Sequence, residues 1–494
     1  MAKLDFSFEN AKKLMDGYYP LYIDGKWMDG SDKEVMDVYC PANQEKISSV
    51  ACASEKDVDT AVKAAWRAFP AWSKISLTER YNILQQMYAR LTARATELGM
   101  VESLETGKNM AGNVGEIYFA IDQFPYFASA MRVAEDGISS AADGSKTMAV
   151  REPVGVVGAI CPWNAPIIMC AWKLAPALAA GNCVVMKPSS FTPAGTMELL
   201  KLVADLLPPG VFNVINGKGS KTGQFLMDHP GISKLSFTGS TEIGVQVGLA
   251  AAKRLIPATL ELGGKSAGIY FADIVPDLLD EALGYAAVML FMSGQGCALQ
   301  TRCIVQESIY DMFVDRLAEV FRNYKVGMPW DTSARMGSIA YEAHMNSVLD
   351  YIDIGKKEGA RLVCGGSRIT SGEMGKGFFI EPTLFADVDN GMRIAQEEIF
   401  GPVLCVIKFK DEEDAIRIAN DSVYGLGGGV MSGDLAKALR VAGAMRTGTV
   451  TINNAATHLA GAPFGGFKQS GLGRESYRTT LDHFSEIKTI NFKY

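Results

Sequence analysis

The chain has 494 residues, 48% of them hydrophobic and 21% charged, which exceeds one ordinary domain and suffices for two large cores. The formal net charge is −7, no basic run is interleaved with aromatic residues, and no apolar run is long enough for a membrane span, so neither nucleic acid nor a membrane is an expected partner. Nine scattered cysteines without a C-x-x-C pair and only four histidines argue against a disulfide framework and against a metal site.

The N-terminal part predicts a hairpin followed by helices. Residues 1–7 contain no apolar segment, so we expect no signal peptide and a cytoplasmic protein. An Asp-Gly pair within 22–27 indicates a hairpin, and Ser54 and Ser76 each begin a capped helix. Helices are predicted to continue through 102–116 and 117–133. The aromatic residues of the last segment are expected to pack in the core; they are Tyr118, Phe119, Phe124, Tyr126 and Phe127.

From residue 154 onwards, short apolar strands alternate with helices. The predicted strands are 154–160, 182–187, 211–215 and 232–237. The predicted helices are 168–180, 192–206, 222–229 and a segment that ends at Lys253. This alternation predicts a parallel, doubly wound sheet, which binds ligands at the carboxyl ends of its strands.

The same alternation returns in the second half of the chain. Strands are predicted at 302–306, 402–409 and 448–453, and helices at 280–292, 309–321 and 412–420. Two segments with alternating apolar and polar residues, 145–151 and 487–494, are typical of edge strands, which commonly pair with another strand. That pairing occurs either between subunits of an oligomer or within one chain.

A glycine turn joins a predicted strand to a helix at residues 239–244. It departs from the G-x-G-x-x-G dinucleotide fingerprint, which is absent from the chain. Ser240 or Thr241 can cap the helix, and free N–H groups at a helix start can hold a phosphate. The turn is therefore either a capped helix start without a ligand or part of a phosphate site.

Three stretches rich in glycine or proline carry reactive side chains. Cys297 follows a Gly-Gln-Gly turn, which leaves backbone N–H groups free to donate. A thiolate in a polar, partly open pocket is a nucleophile, whereas most cysteines are small buried hydrophobes. Glu261 and Asn164 lie in the two other stretches and add a carboxylate and an amide. The three groups together favour a nucleophilic site.

Six motifs in this order resemble the aldehyde dehydrogenase superfamily, and the likeness runs from about residue 20 to the end of the chain. They occupy residues 162–164, 237–244, 260–265, 294–297, 397–402 and 463–466. The resemblance implies oxidation of an aldehyde to a carboxylic acid by NAD or NADP.

The resemblance also implies a fold of two doubly wound α/β domains with a small β element. The Rossmann-like cofactor domain would cover 1–134 and 152–260, and the catalytic domain would cover 261–466. Strands within 135–151 and 480–494 would join subunits of a homodimer or homotetramer.

The resemblance assigns the chemistry to four residues. The Cys297 thiolate would attack the aldehyde carbonyl, and the Asn164 amide together with the Cys297 N–H would hold the alkoxide. Glu261, desolvated by its apolar neighbours, would activate the water that hydrolyses the thioester. Lys173 matches a family lysine near the proton path, or is a structural cation.

Cofactor positions carry over in the same way. Lys187 resembles a lysine on the adenine ribose, Glu398 resembles a carboxylate on the nicotinamide ribose with Phe400 beside it, and His344 lies near a further family contact. The adenosine and pyrophosphate would be lined by Trp163, Gly219, Gly239 and Ser240.

Residue 190 departs from the pattern of relatives that strictly use NAD. Those relatives often have a glutamate three residues after the cofactor lysine, whereas Ser190 stands there in this chain. A hydroxyl can hydrogen-bond the 2′-phosphate that a carboxylate would repel. We therefore expect NADP to be accepted alongside NAD.

The positions that match the family's substrate funnel are mostly apolar. They are Ala165, Met169, Trp172, Gly296, Ala298, His458 and Phe464. No arginine is present among these positions, which argues against dicarboxylic semialdehydes. A single tryptophan offers little cation–π contact for a quaternary ammonium. We expect a medium-chain aliphatic or an aromatic aldehyde, and His458 either contacts a polar group or belongs to a surface loop.

Two other functions stay open. One is a dehydrogenase that transfers the acyl group to coenzyme A, as a CoA-acylating semialdehyde dehydrogenase does; such relatives typically lack the carboxylate found here at Glu261. The other is a non-catalytic binding or structural protein of the same fold. The presence of Cys297, Glu261 and Asn164 argues against it.

Overall fold

The computed structural model describes residues 5–454 and 459–493. Within these ranges, two mainly parallel sheets are formed by strands that alternate with helices along the chain. This confirms the predicted α/β class, while the domain limits stay a prediction. In the described part of the chain, none of the helices combines the length and the apolar character that a bilayer crossing demands.

The first sheet contains most of the strands predicted before residue 262. Its central strands run parallel, and the Leu21–Ile23 and Lys26–Met28 hairpin adds antiparallel strands at one edge, as the Asp24-Gly25 turn predicted. The strand order is Gly471–Leu472, Ala258–Glu261, Lys234–Thr238, Val156–Ile160, Cys183–Lys187, Phe212–Val214, Leu21–Ile23 and Lys26–Met28.

The second sheet belongs to the second half of the chain and is parallel except at one edge. Its strand order is Arg361–Cys364, Thr383–Ala386, Val403–Phe409, Gln300–Gln306, Ser266–Tyr270, Gly427–Met431 and Thr449–Ile452. A further small ribbon pairs Val35–Tyr39 with Lys46–Ala51.

The two segments with edge-strand patterns pair with each other. Lys146–Pro153 lies antiparallel to Ser485–Phe492, and Ile138–Ser140 adds to the other side of Lys146–Pro153. Of the two alternatives, pairing within the chain therefore occurs. Ile487 remains 67% exposed on this small sheet, and contact with another subunit stays a prediction.

The helices of the first half are Phe8–Lys13, Glu55–Trp72, Leu77–Ala93, Ala95–Thr106, Met110–Ile121, Gln123–Arg132, Pro166–Ala179, Ala194–Val203, Gln224–Asp228 and Thr241–Arg254. Those of the second half are Leu279–Ala287, Tyr310–Arg322, Glu342–Lys357, Arg393–Gln396, Glu412–Asn420, Leu435–Ala444 and Thr480–His483. Ser54 and Ser76 both form capping boxes, as predicted.

Some predicted helix boundaries are wrong. A continuous helix over 102–116 is interrupted because Gly107 adopts a left-handed conformation (φ +80°) and Asn109 caps a new helix by accepting from the Gly112 N–H. The helix expected over 280–292 ends at Ala287, followed by one 3₁₀ turn, Val288–Leu290.

The expected aromatic core in 117–133 is only partly correct. Phe124 and Phe127 are fully buried, whereas Tyr118 is 48% exposed. Phe119 lies edge-on against Trp172, with ring centroids 5.6 Å apart, so it packs beside a residue of the predicted substrate funnel.

Neighbouring parallel strands of the first sheet end at one edge, where most of the candidate residues lie. Lys187 and Glu261 are the last residues of the strands Cys183–Lys187 and Ala258–Glu261. Asn164 comes shortly after Val156–Ile160, and Gly239 and Ser240 come directly after Lys234–Thr238. This edge is where a doubly wound sheet binds its ligands.

Candidate active site

A cleft of about 200 Å³ opens at this edge and brings many of the candidate residues together. It is lined by Trp163, Asn164, Gly239, Ser240, Glu261, Cys297, His344, Glu398 and Phe400, and also by Tyr341. Lys187, Ser190 and Gly219 lie outside its lining, and so do Lys173 and the candidate substrate residues. His458 lies outside the described residues.

Asn164 is joined directly to the turn that carries Cys297. Its Nδ2 donates to the Gln295 carbonyl oxygen at 2.9 Å. Gln295 is itself fixed, because its Oε1 accepts from the Ala340 N–H at 3.0 Å and its Nε2 donates to the Ser338 carbonyl at 3.3 Å. One of the two Nδ2 hydrogens orients the amide, which leaves the second for another acceptor.

Cys297 is partly exposed, in contrast to the fully buried Cys170 and Cys303. A Cβ on Gly264 would collide with the Cys297 carbonyl oxygen, so a residue without a side chain is required where the two segments meet. Burial raises the pKa of the Cys297 thiol to about 12, and the carboxylates of Glu398 and Glu261 add to this rise. The resting thiol is therefore neutral and needs a base when it reacts.

Glu261 is 1% exposed, and among the described residues neither of its carboxylate oxygens has a hydrogen-bond partner. Burial raises its pKa well above the ordinary value; the Glu475 carboxylate raises it further, and the Lys173 ammonium opposes the rise. Lys173 forms a buried ion pair with Glu475 at 2.8 Å and donates to Ser236 Oγ at 3.3 Å. A buried carboxylate left unpaired is a common mark of a functional group.

Glu398 also lines the cleft, and its carboxylate, unlike that of Glu261, accepts a hydrogen bond. Its Oε1 accepts from the Gly264 N–H at 2.9 Å, and a Cβ on Gly263 would collide with its Oε2. Burial raises the pKa of Glu398 to about 7, while the Gly264 N–H and Lys265 oppose the rise. The carboxylate is thus oriented by backbone and has one oxygen directed elsewhere.

An aromatic group also lines the cleft. Phe400 adopts a left-handed backbone (φ +56°), and its carbonyl oxygen lies 2.7 Å from His344 Nε2. The Trp163 ring contacts the rings of Phe400, Tyr341 and His344 at 5.1–5.3 Å between centroids. Strained backbone of this kind persists only where neighbours hold it, and it is commonly found at binding sites.

Several observations fit a dinucleotide at this edge. Ser240 caps the helix Thr241–Arg254 by accepting from the Ile243 N–H at 3.4 Å, so a helix start faces the cleft. Buried Lys187 donates to the Pro188 carbonyl at 2.7 Å, and burial lowers its pKa to about 8. Ser190 is partly exposed, and apart from its two chain neighbours no residue in the described ranges lies within 4 Å of a Cβ placed on Gly219. The residues present therefore leave open backbone and free donor capacity for a ribose and phosphates.

Among the candidate substrate residues, Trp172 and Phe464 contact each other with ring centroids 5.0 Å apart. Both are buried, as are Ala165 and Met169 on the same helix start as Trp172. Gly296 and Ala298 flank Cys297 and are partly exposed. The first four side chains are therefore buried and apolar, whereas the two sequence neighbours of Cys297 remain partly accessible.

Sequence reasoning overlooked three residues. Gln295 was part of a motif but had no role, although it anchors Asn164. Glu475 lies in a stretch without a local signal and reaches Glu261 and Lys173 only through the fold. Tyr341 stacks on Phe191 with ring centroids 4.0 Å apart. It belongs to no motif, and its position before a helix is its only sequence signal.

Comparisons with known proteins cover nearly the whole chain. A family model described as "Aldehyde dehydrogenase family" matches residues 27–490. Acetaldehyde dehydrogenase 2 of Cupriavidus necator is 43% identical over 481 residues, which is 96% of this chain and 95% of that protein. The matched ranges include all of the segments that line the cleft.

Solved structures are similar over the same extent. Betaine aldehyde dehydrogenase of Staphylococcus aureus in complex with NAD⁺ has a TM-score of 0.95 and 37% identity, covering 99% of this chain and 97% of that one. An indole-3-acetaldehyde dehydrogenase of P. syringae, a cysteine-to-alanine mutant in complex with NAD⁺ and IAA, has a TM-score of 0.96 and 37% identity over 100% of both chains.

Proposed function

Because this chain belongs to the aldehyde dehydrogenase family and is an NAD-dependent enzyme of that family, we propose that it oxidises aldehydes through a covalent Cys297 thioester that Glu261 helps to hydrolyse. The observation that carries this proposal is the cleft itself. It holds Cys297, Asn164 and an unpaired Glu261 carboxylate, which come from three separate parts of the sequence.

The first step is attack of the Cys297 sulfur on the aldehyde carbon. Because burial holds the pKa of the thiol at about 12, the proton has to leave as the S–C bond forms. Ionised Glu261 is the acceptor in the same cleft, and its raised pKa makes it a stronger base than an exposed carboxylate. The proton moves from sulfur to Glu261.

The attack turns the carbonyl oxygen into an alkoxide that needs donors. The second Nδ2 hydrogen of Asn164 and the Cys297 backbone N–H supply them, and the bond from Asn164 to Gln295 keeps the amide from rotating away. NAD⁺, when bound, accepts the hydride that leaves the former aldehyde carbon. The acyl group then remains on Cys297 as a thioester.

Hydrolysis of the thioester requires an activated water. Glu261 first releases to solvent the proton that it took from sulfur. Ionised again, it removes a proton from that water, and hydroxide adds to the acyl carbon. The Cys297 sulfur leaves as a thiolate while the acid forms, and it regains a proton from Glu261. The buried Lys173–Glu475 pair tunes this base electrostatically, because its two charges shift the pKa of Glu261 in opposite directions. Lys173 acts in this way as a cation beside the base, with or without a part in proton movement.

The cofactor end of the site is assigned to the groups already described there. Glu398, next to Phe400, and Lys187 would hold the two riboses, and Trp163, Gly219, Gly239 and Ser240 would line the adenosine and pyrophosphate. Ser190 carries a hydroxyl where relatives that strictly use NAD often have a carboxylate, and a hydroxyl would not repel a 2′-phosphate, so we propose that NADP is also accepted.

The substrate is proposed to be an apolar aliphatic or aromatic aldehyde. This class is supported by the apolar character of Trp172, Phe464, Met169 and Ala165, all of which are buried, and by the contact of Phe119 with Trp172. Transfer of the acyl group to coenzyme A is disfavoured, because Glu261 places a base for water in the cleft.

The test is steady-state oxidation of an aldehyde panel with NAD⁺, followed by NADH absorbance, for the wild type and Cys297→Ala. We expect the substitution to lower kcat by about 10⁴-fold or more, because no other thiol lines the cleft in the described residues. NAD⁺ binding should persist. Cys364→Ala is the matched control, since Cys364 is also partly exposed but lies in the second sheet's edge strand. Retained turnover in Cys297→Ala would refute the proposal.

A further inference from the structure

Two helices that begin beside the candidate site have no caps of their own. Pro166–Ala179 starts directly after Asn164 and Ala165, and Ala165 provides no side-chain cap. Ala194–Val203 starts after the loop that contains Ser190, and its N-cap residue, Pro193, also provides none. Both helix starts are buried, and buried N–H groups without an acceptor are costly.

Two fully buried carboxylates from a third helix, Ala95–Thr106, supply the missing acceptors. Glu102 Oε2 accepts from the Ile167 N–H at 2.9 Å. Glu105, one turn further along, accepts from the Ala194 N–H at 2.7 Å and from the Gly195 N–H at 2.8 Å. A Cβ on Gly195 would lie 2.9 Å from Glu105 Oε1, so this glycine lets the carboxylate approach the helix start.

The two capped helix starts are also connected to each other. Thr192 Oγ1 donates to the Trp163 carbonyl at 3.1 Å, which joins the loop before the second helix to the loop before the first. Glu102 is held in turn by Lys108 Nζ at 2.6 Å, and Lys108 also contacts Glu116 at 2.7 Å. One helix thus fixes both loops at the carboxyl edge of the first sheet.

We propose that Glu102 and Glu105 are positioning residues with separate tasks. Glu102 fixes the loop that presents Asn164, whose amide lies three residues before the capped Ile167. Glu105 fixes the loop from Lys187 to Ser190, which ends four residues before the capped Ala194. The inference rests on the proposed function, because it uses the roles assigned there to Asn164, Lys187 and Ser190.

The separate tasks predict opposite kinetic effects. Glu102→Gln should lower kcat about tenfold with the KM for NAD⁺ nearly unchanged, because a displaced Asn164 weakens only the step in which charge develops. Glu105→Gln should raise the KM and the Kd for NAD⁺ about tenfold with kcat nearly unchanged. Rates are normalised to the fraction of Cys297 that reacts with a thiol reagent, so loss of folded enzyme does not enter.

Glu116→Gln is the matched control. It also turns a half-buried carboxylate that contacts Lys108 into an amide, but among the described residues Glu116 bonds to neither helix start. It should lower the melting temperature without shifting kcat or KM. Equal effects of all three variants on both constants would overturn the proposal, as would a Glu105 variant that changes kcat alone.

Hydrogen exchange on the unmodified enzyme tests the capping by Glu102 and Glu105 even where a variant fails to fold. Amides in the first turn of a helix normally exchange quickly, because they lack an acceptor within the helix. Hydrogen exchange should instead be slow at Ile167, Ala194 and Gly195, and fast exchange there would refute the capping role. Cys297→Ala and Asn164→Ala, assayed in parallel, report separately on the proposed function, so its failure is distinguishable from failure of this inference.

Discussion

The proposed reacting end of the cleft, with Glu261, differs from the proposed cofactor end, with Glu398 and Lys187 beyond the cleft lining, in how its polar groups are satisfied. At the reacting end, Glu261 is buried and unpaired within the described residues, and its pKa is raised well above the ordinary value. At the cofactor end, Glu398 accepts a backbone N–H and has a pKa of about 7, and Lys187 donates to a carbonyl. The reacting end therefore holds groups that are free to exchange protons, whereas the cofactor end holds groups that are already oriented.

After Cys297→Ala, the largest expected effect contrasts these two carboxylates. Glu261→Gln should lower steady-state turnover about 10³-fold, because both thiol attack and thioester hydrolysis then lack their base. Rapid-mixing absorbance should show slow NADH formation from the first turnover onwards. Glu398→Gln, at the other end of the cleft, should raise the KM for NAD⁺ and keep fast NADH formation at saturating NAD⁺. Full steady-state turnover in Glu261→Gln would show that the unpaired carboxylate is not the base.

The next effect separates charge stabilisation from binding. Asn164→Ala should reduce kcat about 10²-fold to 10³-fold, since it removes a donor for the alkoxide and releases the Gln295 carbonyl. Binding of NAD⁺, measured by titration of tryptophan fluorescence, should change little. Asn323→Ala, at an exposed position, serves as the control. An unchanged kcat would remove Asn164 from the proposed mechanism.

A smaller effect is expected where the cofactor end meets solvent. Ser190→Glu should lower kcat/KM for NADP⁺ about 10²-fold and leave that for NAD⁺ within a few fold, because a carboxylate repels the 2′-phosphate. The comparison of kcat/KM for the two cofactors measures this, with Ser190→Ala as the neutral control. A wild-type preference for NAD⁺ of about a thousandfold or more would contradict the interpretation of Ser190.

The smallest expected effect is a pH dependence that comes from the reacting end alone. Glu261 acts as a base only when ionised, and its pKa is raised, so kcat should increase as pH rises through that pKa. A general acid would give the opposite result, a kcat that decreases as pH rises through the pKa of the acid. In Glu261→Gln this increase of kcat with pH should disappear. An increase that persists unchanged would assign the titration to another group.

Local patterns were sufficient for much of the fold. The Asp24-Gly25 hairpin, the capping boxes at Ser54 and Ser76 and the strands that alternate with helices all depend on residues within a few positions of one another. The helix break at Gly107 was missed, although Gly107 adopts a left-handed conformation and Asn109 caps the helix that follows. The pairing of Lys146–Pro153 with Ser485–Phe492 was left open, since an edge-strand pattern does not specify its partner.

The sequence by itself determined the α/β class and the family motifs and supplied the candidate reactive side chains, because residue type and short spacing carry that information. Only the tertiary structure decided the surroundings of those side chains. Glu261 owes its raised pKa to burial and to Glu475, which is far away along the chain, and Glu102 reaches Ile167 across 65 positions. Burial, pKa and capping by a distant helix are sums over neighbours in space, and no local pattern encodes them.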